Sequence, residues 1–129
     1  MTKYWYLGSP YSKYKHGIEE AYREVCRNHA ILIEAGIPSF CPIGHTHGPA
    51  VHGGIDPLDH TIWIPADQPF MDLAYGLIVC KMDGWEESYG LNIEINFFRD
   101  NHKPVVYMTP GQLPKEFQHY AAESALAAE

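Results

Sequence analysis

Four apolar residues in a row, at 77–80, followed by a polar, glycine-bearing loop and then a helical repeat, set the pattern of this chain. An unbroken apolar run of that length fits a strand buried on both faces of a parallel sheet. After the tight turn Ser88-Tyr89-Gly90, Leu91, Ile95 and Phe98 fall on one stripe of a helix, widened by Ile93 and Phe97. Asn92, Asn96 and Arg99 cluster on the opposite, water-facing side. Glu94 falls among the apolar positions, between the directions of Phe97 and Phe98. A carboxylate there is costly unless it is paired or used.

The same reading extends both ways along the chain. Residues 4–7 predict a first strand that delivers its end to Gly8-Ser9-Pro10-Tyr11; Gly8 permits close backbone approach and Pro10 stops the strand. Ile18, Tyr22, Val25, His29 and Leu32, with Ala21 and Ile33 on the same side, predict an amphipathic helix over 15–35 closed by Gly36. Residues 37–43 predict a second strand, at an edge because of its two prolines. The glycines and prolines of 44–65 predict a long irregular loop. A helix over 66–75, with Pro69 in its first turn, leads into the 77–80 strand. Residues 105–108 predict a last strand, and 115–129 an alanine-rich helix.

This alternation predicts a three-layer α/β sandwich with a parallel sheet of four or five strands. Ligands of such sheets sit beyond the carboxyl ends of the strands. Here those ends are 8–11, 44–47 and 81–90, rich in Ser, Tyr, His, Trp, Asp and Glu, types that suit a small polar ligand with an aromatic part.

At 129 residues the chain is expected to form one domain, with a core over 1–110 and a C-terminal helix over 111–129. Its hydrophobic content of 46% excludes extended disorder. A net charge of −7 argues against a nucleic-acid polymer as partner, though not against a single nucleotide. Cys26, Cys41 and Cys80 lack a C-x-x-C pairing and read as free thiols of a reducing compartment. No apolar run approaches the roughly 20 residues of a membrane span, and the first residues lack the apolar centre of a signal peptide. A cytoplasmic protein is expected.

Glu94 reads either as a bonded structural carboxylate or as a nucleophile or general base. Asp67 and Asp72 are its candidate partners, since glycosidic chemistry often uses two carboxyl groups in different environments. His45, His47, His52 and His60 lack zinc-type spacing, so no metal and no cofactor is expected. There is no G-x-x-x-x-G-K-[ST] loop, no G-x-G-x-x-G fingerprint and no G-x-S-x-G elbow.

Ser88-Tyr89-Gly90-Leu91-Asn92-Ile93-Glu94 resembles the S-x-G-x-x-x-E signature of the nucleoside 2-deoxyribosyltransferase superfamily. Tyr6-Leu7-Gly8-Ser9-Pro10-Tyr11 is similar to the opening motif of that superfamily, and Lys103-Pro104-Val105 to its entry into the last strand. Asp67 stands where the superfamily places its second acidic residue, with Asp72 in reserve. Pro42–His47 and Asp83–Gly90 resemble the P-I-x-H-x-H and D-G-W-x-x-S-x-G motifs of a small uncharacterised branch. The resemblance spans 4–108.

It implies a flavodoxin- or Rossmann-like sheet and cleavage of an N-glycosidic bond, with Glu94 attacking C1′ and Asp67 protonating the leaving base. Ser88, where the transferases carry an aspartate, implies a nucleoside 5′-monophosphate hydrolase; a serine at a helix N-terminus attracts a phosphate that a carboxylate repels. Ser9, Ser88 and Gly90 are then sugar or phosphate holders, Tyr11 or Trp85 stacks on the base, and Gly8 and His45 join the binding set. The partner is a nucleotide or nucleoside, and a homodimer or larger assembly is expected, with the C-terminal helix at the contact. A deoxyribosyltransferase and a non-catalytic nucleotide-binding module are the alternatives.

Overall fold

The computed structural model describes residues 3–119. Its elements run β1 (Trp5–Gly8), α1 (Ile18–Glu34), β2 (Ser39–Phe40), α2 (Pro42–Gly53), α3 (His60–Leu73), β3 (Gly76–Cys80), α4 (Tyr89–Asp100) and β4 (Val105–Met108), followed by a 3₁₀ turn at Lys115–Phe117. The four strands are parallel in the order β2-β1-β3-β4, with Tyr6 opposite Leu77 and Ile78 opposite Val106. Alternate side chains along the strands separate the two faces. Leu7, Ile78, Cys80, Val106 and Met108 pack with Ala21, Val25 and Leu32 of α1. Tyr6, Leu77 and Val79 pack with Met71 of α3 and Leu91, Ile95 and Phe98 of α4. The result is the expected three-layer α/β sandwich, with β3 buried along its whole length.

Local chemistry explains the helix ends. The amides of Gly36 and Ile37 donate to the carbonyls of Ile33 and Leu32, closing α1 through a left-handed Gly36. On α1, Ala21, Val25 and Leu32 are buried as expected. Ile33 instead stands 60% exposed, because the buried stripe runs through Asn28. The Asn28 side chain donates to the Glu24 carbonyl and accepts from the Gly111 amide, which satisfies it inside the protein.

The irregular loop expected over 44–65 is not what forms. The second strand stops at Phe40, the Cys41 thiol accepts from the Gly44 amide as an N-cap, and Pro42 starts α2. Proline is favoured at that first position because its missing N–H would lack a partner anyway. Gly54, in the left-handed region, closes α2, and Asp59 caps α3. Pro49, Pro65 and Pro69 lie inside these helices rather than in a first turn. Each proline deprives the carbonyl four residues back of its donor. Those carbonyls belong to His45, Thr61 and Pro65, all exposed residues. Of the helix expected over 115–129, Lys115–Phe117 forms a 3₁₀ turn; residues beyond 119, and with them the expected subunit contact, lie outside the described residues.

Lys103, just after α4, ties the junction of α3 and β3 to the end of α4. Its ammonium donates to the carbonyls of Met71, Asp72 and Ala74, the open C-terminal end of α3. Its aliphatic stem keeps the charge within 6 Å of the Phe97 and Phe98 rings. Lys103→Met keeps the stem and removes three charge-assisted bonds, so a loss of about 3 kcal/mol is expected by urea unfolding. A change below about 0.5 kcal/mol would mean that water caps α3 equally well. Among the described residues no helix is long and apolar enough to cross a membrane.

Candidate active site

The chain leaves β1 for β2 on one side and returns to β3 on the other, so the direction of winding reverses between β1 and β3. A crevice opens where such a reversal occurs, beyond the carboxyl ends of the two strands. Here it is a cleft open to solvent on one side, roofed by α2 and α3 and floored by the start of α4. Ser9 and Tyr11 come from the end of β1, Asp67 from α3, and Ser88, Gly90 and Glu94 from the cap and first turns of α4.

Glu94 lies on the backbone of β1: a Cβ built at Gly8 would stand 3.0 Å from its Oε1. Protein surrounds the carboxyl except toward the cleft. Desolvation pushes its pKa up to about 8, the Tyr6 hydroxyl beside it pulls the other way, and the Asp67 charge adds to the rise. Burial alone raises Asp67 to about 6. Burial, and then the Glu94 carboxylate, raise Tyr6 far above the usual phenol range. Tyr6 is thus a neutral neighbour facing Glu94 without a hydrogen bond of ordinary geometry. Ser88 accepts from the Leu91 amide at 3.3 Å as the N-cap of α4, which leaves its hydroxyl hydrogen free to donate.

Among the described residues, the buried side-chain oxygens without a hydrogen-bond partner are Tyr6 Oη, Ser9 Oγ and Asp67 Oδ1. All three are at this cleft or against Glu94. Buried polar atoms are ordinarily satisfied, and leaving one unpaired costs about 1–3 kcal/mol. Their concentration in one place makes this cleft the candidate site for a polar ligand or for bound water.

Sequence reasoning placed Ser9, Tyr11, Asp67, Ser88, Gly90 and Glu94 in one site, and the fold brings them together, with Gly8 beneath Glu94. Asp72 is elsewhere: it is exposed and accepts from Gln68 at 2.9 Å. His45 is also away from the cleft, exposed against the Phe40 and Phe70 rings. Trp85 packs edge-on to Tyr107 at 5.9 Å and does not reach the cleft. The tryptophan that lines it is Trp63 of α3, its indole N–H held by the Asp56 carbonyl at 2.8 Å. His47, His60 and Leu58 line it as well, and all of these lay in the stretch read as a loop.

The family model of a domain of unknown function, DUF1937, matches residues 3–110, from just before β1 to the turn after β4. The chain belongs to the DUF1937 family. The match takes in every element that builds the cleft, so the carboxyl pair and its serines belong to the family domain itself rather than to an addition. No curated protein matches the chain. Among the described residues of this DUF1937 chain, no three His, Cys, Asp or Glu side chains gather as a metal site would require.

Proposed function

We propose that the protein cleaves the N-glycosidic bond of a nucleoside 5′-monophosphate, with Glu94 as nucleophile. The observation that carries this reading is the set of unpartnered polar atoms around two carboxyl groups of raised pKa in a single cleft. Glu94 attacks C1′ while Asp67 gives its proton to the departing base. Water then resolves the glycosyl ester. Positive charge developing at C1′ favours the ionised form of Glu94, so a carboxyl that is destabilised in the empty site is stabilised as the bond breaks. Trp63 and Tyr11 offer faces for the base, and the hydroxyls of Ser9 and Ser88 with the first amides of α4 suit the phosphate.

One observation favours a second reading. Neither Lys nor Arg lines the cleft among the described residues, which suits an uncharged nucleoside and hence transfer of the sugar to another base. Base release followed by chromatography, across ribo- and deoxyribonucleoside 5′-monophosphates and the free nucleosides, separates the two. Release from monophosphates alone is expected. Activity only with nucleosides plus an acceptor base would establish the transferase, and saturable binding without release a nucleotide-binding module.

The carboxyl pair sets the pH profile. Between about 6 and about 8 the two groups together hold one proton, which rests on Glu94, the group of higher pKa; its passage to Asp67 as substrate binds gives the one acid and one nucleophile the reaction requires. Below that window both are protonated and the nucleophile is lost; above it both are ionised and the acid is lost. A bell-shaped kcat/KM with limbs near those values is expected. A profile flat from about pH 5 to 9 would remove the pair from the chemistry.

A further inference from the structure

A second polar chain enters the cleft from the opposite wall. His47 of α2, 5% exposed, meets the Glu19 carboxylate of α1 through Nε2 at 2.8 Å and the Tyr11 hydroxyl through Nδ1 at 2.7 Å. Its ring is stacked on Tyr22 at 4.3 Å and 12°, so it has no freedom to turn. Glu19 itself is 57% exposed, and its other oxygen accepts from Arg23 at 3.2 Å. The charged or titratable groups facing His47 are therefore Glu19 and Tyr22 from α1 and Tyr11 from the β1–α1 loop.

The order of donors follows from the chemistry. The hydrogen bond from His47 holds the Glu19 carboxyl below its ordinary range, so Glu19 is ionised and can only accept. Nε2 must carry the hydrogen. In the neutral ring Nδ1 is then an acceptor, and the Tyr11 hydroxyl donates to it. Tyr11 lines the cleft with Glu94, and with its hydrogen given to His47 its oxygen keeps free lone pairs. A hydroxyl, an imidazole and a carboxylate in that sequence form a path for removing a proton, the logic of a nucleophile–base–carboxylate triad.

We propose that Tyr11 and His47, oriented by Glu19, are the general base that activates water against the glycosyl ester of Glu94. The assignment rests on the N-glycosidase reading above. In the step, the water oxygen bonds to C1′ and the C1′–O bond to Glu94 breaks, its electron pair returning to the carboxylate. The water proton passes to the Tyr11 oxygen as the Tyr11 proton passes to His47 Nδ1. The imidazolium, stabilised by Glu19, later gives its proton to solvent. Burial and then the Glu19 charge raise the Tyr11 pKa, so Tyr11 relays a proton without being left as a phenolate. Asp67 remains the acid for the departing base, and the two half-reactions use opposite walls of the cleft.

Tyr11→Phe tests this with the substrate found by base release. The expected result is a retained burst of one base per site, a steady-state rate lowered about 100-fold, and a glycosyl adduct on the intact protein by mass spectrometry. Loss of the burst itself would move the chain to the leaving base, and an unchanged steady state would make it structural; either overturns the proposal. Imidazole nitrogen NMR supplies a readout without substrate. The neutral His47 ring of the wild type should show the Nε2–H tautomer, and that of Glu19→Ala a mixture of tautomers. A wild-type ring protonated on Nδ1 overturns the proposal whatever the kinetics. Absence of base release by the wild type, by contrast, would defeat the N-glycosidase reading itself.

Discussion

Glu94→Gln is expected to abolish turnover, by at least about 1,000-fold, and at the same time to raise the melting temperature at alkaline pH. The kinetic half follows from the loss of the attacking oxygen; an amide of the same shape does not form the ester. The stability half follows from the folded pKa of about 8 against an ordinary value of 4.5. Because the folded state holds this proton more tightly than the unfolded state, stability is greatest below about 4.5 and is lost as pH rises toward 8. An amide is neutral throughout and escapes that loss. The gain at pH 8 is on the order of 3 kcal/mol, roughly 10 °C for a chain of this size, and vanishes near pH 4. Calorimetry of both proteins across that range checks it. Equal melting at pH 8 would mean that Glu94 is as well solvated as a surface carboxylate, and the case for a strained nucleophile would go with it.

What the sequence disclosed of this site depended on how each residue's direction was encoded. Glu94 was legible because the stripe of Leu91, Ile95 and Phe98 fixes the wheel of α4, and a carboxylate on its apolar side must be either bonded or used. Ser9, Tyr11 and Ser88 were legible because strand ends locate them without any knowledge of side-chain direction. His45 and His47 were not separable in that way. Two residues apart on a helix they point ~200° from each other, so once α2 forms, one faces water and the other is buried against Tyr22. Seeing this required recognising α2, and its prolines and glycines spoke against a helix. Trp85 and Trp63 were exchanged for the same reason: proximity to a strand end favoured the first, and only α3 aims the second into the cleft. The sheet itself was easier, since unbroken apolar runs such as 77–80 owe their burial to no single contact.

Gly8→Ala should cost about 100-fold in kcat/KM while the protein stays folded, a larger effect than one methyl group ordinarily has. The added Cβ would stand 2.8 Å from Leu91 Cδ1, 3.0 Å from Glu94 Oε1 and 3.2 Å from Leu77 Cδ1. Leu77 and Leu91 belong to the buried packing of β3 and α4 and can retreat by only a few tenths of an ångström. The carboxyl, facing the open cleft, is the neighbour with room to move, so the strain is relieved by displacing the nucleophile. Overpacking of this kind costs about 1–3 kcal/mol in stability, within what a domain of this size tolerates. Displacement by an ångström from attack geometry accounts for the kinetic loss. A displaced carboxyl is also better hydrated, so the alkaline limb of the pH profile should move downward from about 8. An Ala variant of full activity with that limb unmoved would show that α4 as a whole shifts to make room, and that Gly8 does not fix where Glu94 stands.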